Sequence, residues 1–253
     1  MNNTDKTIKA VVFDLDGTLL DTLNDLADAT NAALKMNGMP ARTVDEVRRF
    51  VGNGVANLIL RAMPGGKVTD TMDTTPVPDL HGKVLADFKS YYGEHCEDKT
   101  KPYEGVIELL SSLKEKNIGV AVVSNKSDFA VKKLMIGYFG DLVDFASGED
   151  EAHGVGKKPA PEMVYAALEH LGVEPSEAVY VGDSDVDIAT AANSGMPCVS
   201  VTWGFRSREF LLDHGAKKLI DTPSELLLLL ESKAKYTTNA SFLSGCPGYE
   251  RSG

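Results

Sequence analysis

The sequence predicts an α/β fold, in which a parallel sheet is flanked by helices and an all-helical segment is inserted after the first strand. Three observations indicate this: short apolar runs without polar alternation, helix-like segments between the later runs, and a long stretch of helical periodicity after the first one. Continuous apolar runs are typical of parallel strands that are buried on both faces. The 253 residues, 43% of them hydrophobic, can form one substantial core and a smaller attached domain.

The first apolar run, Ile8 to Phe13, ends at Asp14 and predicts the first strand. Three further short runs have the same character: residues 118–123, 178–181 and 198–201. Polar or small residues follow the first three strands, namely Asp14, then Ser124-Asn125, then Gly182-Asp183-Ser184. Because ligands of open parallel sheets bind at the carboxyl ends of the strands, these residues are predicted to share one functional edge.

Residues 22–100 show helical periodicity and no convincing strand, so they predict a helical cap inserted into a core of residues 1–21 and 101–235. One apolar face spans Leu23 to Leu34 and is followed by Gly38, a typical helix stop. Thr43 lies three residues before Glu46, which predicts a capping box, and the apolar positions that should then face inward are Val44, Val47, Phe50 and Val51. Residues 64–79 predict a loop, and residues 236–253 a disordered tail.

Composition limits the partners. The chain has 37 acidic and 26 basic residues, a net charge of -11, which disfavours a nucleic-acid partner but not a compact anionic metabolite. The three cysteines and five histidines lack the spacing of a disulfide framework or a zinc site. No apolar run is long enough for a membrane span, so we expect a cytoplasmic monomer or homodimer without a membrane partner.

Asp14 and Asp16 stand two positions apart after the first strand, and an extended backbone therefore places both carboxylates on one side. One carboxylate can attack phosphorus to form an acyl phosphate, and the other can protonate the leaving oxygen and later activate water. Asp14 fits the nucleophile and Asp16 the general acid/base. Two carboxylates repel a phosphate dianion, so the site requires a divalent cation, and oxygen ligands favour Mg2+.

On its own this motif is equally compatible with a strand followed by an Asp-Gly turn. Calcium-binding hands are excluded by spacing, because no glutamate closes the loop at its twelfth position. Three downstream features favour the catalytic interpretation. Ser124 offers a hydroxyl and backbone N–H groups to phosphate, Lys158 offers an ammonium group, and the acidic run Asp183 to Asp187 offers metal ligands. Each has a structural alternative: a strand-end serine, a solvated lysine, and acids at a helix N-terminus.

Together these residues resemble the haloacid dehalogenase superfamily of phosphatases, and within it the phosphoglycolate phosphatase-like group with a helical cap. The resemblance extends from Ile8 to about Leu230 and includes all four superfamily motifs in order. It implies a Rossmann-like parallel sheet and a cap that closes over the site. It also implies that the phosphoryl group is bound by Ser124, Asn125, Lys158 and Thr18, and that Thr18 also orients Asp16. Magnesium would be bound by Asp14, the Asp16 carbonyl and Asp183. Asp187 would contribute indirectly.

The Gly52-Asn53-Gly54 loop resembles the specificity loop of that group, and Asn53 is the predicted substrate contact. The resemblance implies a small phosphorylated metabolite as substrate, with 2-phosphoglycolate first. Pyrophosphatases, sugar-phosphate phosphatases, nucleotidases and β-phosphoglucomutases share the same catalytic residues and remain alternatives. Two different classes are an aspartate-phosphorylated signalling receiver, which would lack a cap, and an inactive binding module.

Overall fold

Six parallel strands form the main sheet. The computed structural model describes residues 7–66, 79–150 and 154–231. The strands are β1 (Ala10–Phe13), β2 (Leu20–Asp21), β3 (Lys101–Pro102), β4 (Gly119–Ser127), β5 (Phe145–Glu149), β6 (Ala178–Gly182), β7 (Cys198–Val201) and β8 (Leu219–Ile220). The order across the main sheet is β5-β4-β1-β6-β7-β8, and β2 pairs with β3 in a separate antiparallel ribbon. The predicted α/β fold with a parallel sheet is confirmed.

The helices are α1 (Leu23–Met36), α2 (Val44–Phe50), α3 (Val55–Ala62), α4 (Asp79–His95), α5 (Val106–Glu115), α6 (Asp128–Tyr138), α7 (Glu162–Leu171), α8 (Asp185–Asn193), α9 (Arg208–Asp213) and α10 (Pro223–Glu231). Side chains alternate along β1, so Val11 and Phe13 belong to one apolar cluster, which also contains residues of α5, α6 and α10. Ala10 and Val12 belong to a second cluster, with residues of α7 and α8. The sheet is therefore covered on both faces.

Helices α1 to α4 lie between β2 and β3, and their buried side chains continue the first apolar cluster. Thr43 forms the predicted capping box with Glu46, and α1 ends just before Gly38. Val44 is 39% exposed, so the prediction that it faces inward was wrong, because only Val47 and Phe50 of α2 are buried. Residues 22–66 and 79–100, the described part of the insertion, contain no strand, and most of the predicted loop, residues 67–78, lies outside the described residues.

The domain limits at residues 21, 100 and 235 stay predictions, and the predicted tail lies outside the described residues. The apolar runs missed the two edge strands of the main sheet: β5, whose sequence Phe-Ala-Ser-Gly-Glu has no continuous apolar stretch, and β8, which has only two residues. A strand at the sheet edge pairs on one side only, so its sequence is less restricted to apolar residues. No helix in the described part of the chain has both the length and the apolar character that crossing a bilayer requires.

Asp25 ties the start of the helical insertion to its end. This carboxylate lies on α1 and is buried. It accepts hydrogen bonds from the backbone N–H groups of Lys99 at 3.0 Å and Thr100 at 2.8 Å, and from the Thr100 hydroxyl at 2.8 Å. A buried carboxylate needs such donors, and the donors are left unsatisfied if it is removed. Asp25 therefore fixes both crossings between the insertion and the sheet.

We expect Asp25→Ala to lower the free energy of unfolding by about 2 to 4 kcal/mol, because three buried donors lose their acceptor. Urea denaturation followed by circular dichroism measures the change. The matched control is Asp28→Ala, which removes an exposed carboxylate that pairs with the Lys99 ammonium and should cost under about 1 kcal/mol. Equal losses in the two variants would show that the Asp25 contacts are not specific.

Candidate active site

The carboxyl ends of three adjacent strands meet at one edge of the sheet. Phe13 at the end of β1 is aligned with Val122 of β4 on one side and with Val181 of β6 on the other. Because the strands are parallel and in this register, the residues that follow each of them converge. They line a cavity of about 220 Å³ with the helical insertion on its other side, and the predicted residues among its lining are Asp14, Asp16, Ser124, Asn125, Lys158 and Asp183.

Lys158 is buried and forms an ion pair with Asp14. Its side chain is 3% exposed, and its ammonium group lies 2.5 Å from Asp14 Oδ1 and 2.8 Å from Asp187 Oδ1. Burial raises the pKa of Asp14 well above its usual value, Asp187 and Asp183 add to this, and Lys158 opposes it. Burial would lower the pKa of Lys158, but the two carboxylates outweigh it, so the pKa rises and the ammonium stays charged.

Asp183 completes the acidic cluster. Asp14, Asp183 and Asp187 are all buried. Each has one carboxylate oxygen that lies within 4.8 Å of a carboxylate oxygen of each of the other two residues. Burial first, and Asp187 second, raise the pKa of Asp183 to about 7, although the backbone N–H of Phe205 donates to its Oδ2 at 2.6 Å. Three buried carboxylates facing one ammonium group favour the binding of a further cation.

Gly17 allows Asp183 to approach the β1 loop. A Cβ atom at this position would lie 2.3 Å from Asp183 Oδ2, and the backbone φ of 90° is one that side-chain-bearing residues rarely adopt. Gly204, from the segment after β7, packs against the same carboxylate, because its Cβ would lie 2.3 Å from Asp183 Cβ. Backbone therefore surrounds Asp183 on two sides, and any larger residue at either glycine would displace it.

Asp187 is held by a full set of donors. Its Oδ1 accepts from Lys158 and from the Tyr180 hydroxyl at 3.0 Å, and its Oδ2 accepts from the Ser184 hydroxyl at 2.6 Å and the Ser184 backbone N–H at 3.1 Å. Ser184 and Asp187 form a capping box at the start of α8. Because these bonds occupy both oxygens, Asp187 is placed to orient Lys158 and the cluster rather than to bind substrate.

Asp16 pairs with a second buried lysine that sequence reasoning did not assign. The Lys126 ammonium lies 2.9 Å from Asp16 Oδ1, and the Thr22 hydroxyl donates to the same oxygen at 2.6 Å. Asp16 raises the pKa of Lys126 above its usual value, although burial alone would lower it. A signal for Lys126 was present, because it stands two residues after Ser124 on β4, and a strand places both side chains on one face.

Three predicted site residues have a different environment from the one expected. The side-chain amide of Asn125 donates hydrogen bonds to the backbone carbonyls of Lys158 at 3.0 Å and Gly52 at 3.2 Å. The Oδ1 atom of Asn125 accepts a hydrogen bond from the backbone N–H of Lys158 at 2.7 Å. The geometry thus favours a structural role for Asn125 over a phosphate contact.

Thr18 does not line the cavity, and its buried hydroxyl has no hydrogen-bond partner among the described residues. The hydroxyl that donates to Asp16 is that of Thr22. Gly52 and Gly54 line the cavity, whereas Asn53 does not.

Arg206 connects the core to the loop that precedes Gly52. It follows β7, and its two terminal nitrogens donate to the carbonyls of Arg48 at 2.9 Å and Val51 at 2.6 Å. Its Nε is buried without a hydrogen-bond partner in the described residues, the nearest carboxylate oxygen being Asp185 Oδ1 at 3.9 Å. The side chain lines the cavity and brings a positive charge to it.

The raised pKa of Asp183 predicts a pH-dependent stability in the absence of metal. Its folded-state value of about 7 exceeds the ordinary 3.8, so the contribution is complete at low pH and is lost as the pH rises through about 7. Asp183→Asn, which cannot ionise, should therefore gain on the order of 2 kcal/mol over the unchanged chain between about pH 5 and about pH 8.

Urea denaturation of both proteins in EDTA at the two pH values measures this gain. Asp213→Asn, at the end of the distant helix α9, is the matched control and should show no such trend. A difference between Asp183→Asn and the unchanged chain that is constant with pH would contradict the assignment of a raised pKa to Asp183.

Comparisons with known proteins agree on one family. The family model described as "Haloacid dehalogenase-like hydrolase" matches residues 11–201. A phosphoglycolate phosphatase from Thiobacillus denitrificans is 34% identical over 88% of this chain and 96% of its own length. An N-acetylmuramic acid 6-phosphate phosphatase from Pseudomonas aeruginosa is 31% identical over 88% and 95%. A solved structure, "putative phosphoglycolate phosphatase from Lactobacillus delbrueckii subsp. bulgaricus", is 37% identical, has a TM-score of 0.80, and covers 88% of this chain and 98% of its own.

Proposed function

We propose that this chain, which belongs to the haloacid dehalogenase-like hydrolase family, is a magnesium-dependent phosphatase that hydrolyses 2-phosphoglycolate through an acyl phosphate on Asp14. The observation that carries the proposal is the separate pairing of two neighbouring carboxylates in one cavity. Asp14 is paired with Lys158 and Asp16 with Lys126. Each carboxylate thus has its own electrostatic environment, as two different chemical roles require.

In the first step, a carboxylate oxygen of Asp14 forms a bond to phosphorus as the ester P–O bond breaks. Asp16 gives its proton to the departing oxygen, so that this oxygen leaves as the neutral hydroxyl group of glycolate rather than as an alkoxide. The Lys158 ammonium holds Asp14 in place and offsets the charge that builds up beside it. Ser124, which is buried on β4, offers its hydroxyl to the phosphoryl oxygens.

In the second step, Asp16 takes a proton from water, and the water oxygen bonds to phosphorus. The bond between phosphorus and the Asp14 oxygen breaks, which releases phosphate, restores the Asp14 carboxylate and leaves Asp16 protonated as it was before the first step. The same group acts as acid and then as base, so no further proton carrier is required. Asp16 is suited to this because its side chain is 14% exposed, more than that of Asp14.

The acidic cluster fits a magnesium ion. Its donors are oxygens, which Mg2+ prefers, and Asp14 and Asp183 have acceptor positions available, whereas the oxygens of Asp187 are occupied by Lys158, Tyr180 and Ser184. Asp14 and Asp183 would therefore hold the ion, with Asp187 acting indirectly. When bound, Mg2+ would neutralise the repulsion between the carboxylates and an incoming phosphate dianion.

Cavity size and charge support a small carboxylated ester. The volume of about 220 Å³ lies below the roughly 300–1,000 Å³ of sites for larger organic ligands. Arg206 lines the cavity, and its guanidinium group provides a positive charge for the carboxylate of 2-phosphoglycolate. A sugar phosphate is the second candidate substrate. The N-acetylmuramic acid 6-phosphate phosphatase from Pseudomonas aeruginosa is 31% identical to this chain, close to the 34% of the phosphoglycolate phosphatase from Thiobacillus denitrificans.

A kinetic screen tests the proposal. It measures phosphate release in Mg2+ from 2-phosphoglycolate, N-acetylmuramic acid 6-phosphate, pyrophosphate, hexose phosphates and nucleotides. We expect the highest kcat/KM for 2-phosphoglycolate and no turnover in excess EDTA, with recovery when Mg2+ is restored. A higher kcat/KM for a sugar phosphate would reassign the substrate, and no hydrolysis of any ester would contradict the phosphatase function.

Asp14→Asn should lower kcat by at least about 10⁴-fold, because an amide cannot form the acyl phosphate. The fold should be retained, since asparagine has nearly the same shape. Asp141→Asn changes a side chain that is 90% exposed and should leave the rate unaltered. Phosphate release by Asp14→Asn at a rate near that of the unchanged chain would exclude Asp14 as the nucleophile.

Arg206→Met should lower kcat/KM for 2-phosphoglycolate about 10- to 100-fold more than for ethyl phosphate, which has the same carbon skeleton without the carboxylate. The expected size corresponds to one hydrogen bond to a charged group. Arg208→Met, which removes a surface pair with Asp221, should not change the ratio. Equal losses for both esters would show that Arg206 only fastens the loop.

A further inference from the structure

Lys126 joins the sheet to the helical insertion. Its side chain is 5% exposed, and its ammonium group lies 2.8 Å from the hydroxyl of Tyr92 on α4 and 2.9 Å from Asp16 Oδ1. The ammonium group also lies 4.7 Å from the centre of the Tyr92 ring. This ring stacks on the ring of Phe88, with 5.4 Å between the two ring centres. An ammonium group so deeply buried keeps its position only while these partners surround it. The placement of Lys126 therefore depends on α4.

The two oxygens of Asp16 are not equivalent. Oδ1 accepts from both Lys126 and Thr22, whereas Oδ2 forms no hydrogen bond with the described residues. Lysine has only donors, and the Thr22 hydroxyl also donates here, so a proton on Oδ1 would face two other donors. The proton of the carboxylic acid is therefore confined to Oδ2, the oxygen left free for a ligand.

We infer that Lys126 and Tyr92 are positioning residues for Asp16, and that they fix Oδ2 as the oxygen that gives its proton to the leaving group. The inference rests on the proposed function. It adds that α4 of the insertion takes part in the chemistry through Tyr92 and Lys126 without touching the phosphoryl group. A rotation of the Asp16 carboxylate, once Lys126 is removed, would place a donor-free oxygen elsewhere and misdirect the proton.

The leaving group distinguishes this role from phosphate binding or general stability. The value of kcat/KM reports the steps up to departure of the leaving group. An alkyl phosphate needs a proton at that stage, whereas 4-nitrophenolate is a stable anion and leaves without one. Correct placement of a general acid contributes about 10²- to 10⁴-fold. Loss of that placement should therefore slow alkyl esters selectively.

The test compares kcat/KM for 4-nitrophenyl phosphate with that for the best alkyl phosphate of the unchanged chain. We expect Lys126→Met to lose at least about 100-fold on the alkyl ester and under about 3-fold on the aryl ester. Lys126→Arg should recover part of the loss, because it restores a donor to Oδ1. Tyr92→Phe should shift the ratio in the same direction by a smaller factor.

Two variants are matched controls. Tyr91→Phe removes a hydroxyl from the neighbouring residue of α4, and Lys132→Met removes an exposed ammonium that pairs with Asp128. Neither should move the ratio of the two esters. If Lys126→Met does not fold, as judged by circular dichroism, Tyr92→Phe makes the same comparison.

Equal losses on both esters, or a ratio that stays unchanged in both Lys126→Met and Tyr92→Phe, would overturn the inference. Failure of the proposed function would look different, because the unchanged chain would then hydrolyse neither ester.

Discussion

A buried excess of negative charge is the constraint on which the rest of the site depends. Four carboxylates and two ammonium groups are packed together with little exposure to water: Asp14, Asp16, Asp183 and Asp187, with Lys126 and Lys158. A buried charge costs several kcal/mol unless a partner and hydrogen bonds compensate it. The two lysines compensate two of the carboxylates. The two negative charges that remain equal in size the charge of one divalent cation, which would balance them. Burial first, and the neighbouring carboxylates second, raise the pKa values of Asp14 and Asp183.

The fold supplies the rigidity that this charge cluster needs. Strand β1 lies between β4 and β6, so the carboxyl ends of all three strands converge without long side chains having to reach. Hydrogen bonds from Phe205, Ser184 and Thr22 then fix the individual carboxylates. The helical insertion contributes Tyr92, and its loop at Gly52 is fastened from the core by Asn125 and Arg206. Insertion and core are thus connected at the site itself.

Much of this could be predicted from the sequence, for definite physical reasons. Strands that are buried on both faces appear in the sequence as short apolar runs, as β1 and β6 do, and as β7 does with Ser200 as its single polar residue, whereas β5 at the sheet edge has no such run. The convergence of Asp14, Ser124 and Asp183 follows from the rule that parallel strands present their carboxyl ends together, whereas Lys158 comes from the segment before α7. Hydrogen-bond assignments do not follow from it. The amide of Asn125 binds backbone, and Thr22 rather than Thr18 contacts Asp16, because loop geometry decides which side chain can reach.

The most direct test of the central claim is to trap the phosphorylated carboxylate. Asp16→Asn should slow the attack of water, while 4-nitrophenyl phosphate can still phosphorylate the enzyme because its leaving group needs no proton. Acid quenching followed by borohydride reduction converts an acyl phosphate to homoserine, which peptide mass spectrometry locates. We predict homoserine at position 14 only when substrate and Mg2+ are both present. Homoserine at another aspartate, or none while 4-nitrophenolate is released in a burst, would contradict the assignment of Asp14 as the nucleophile.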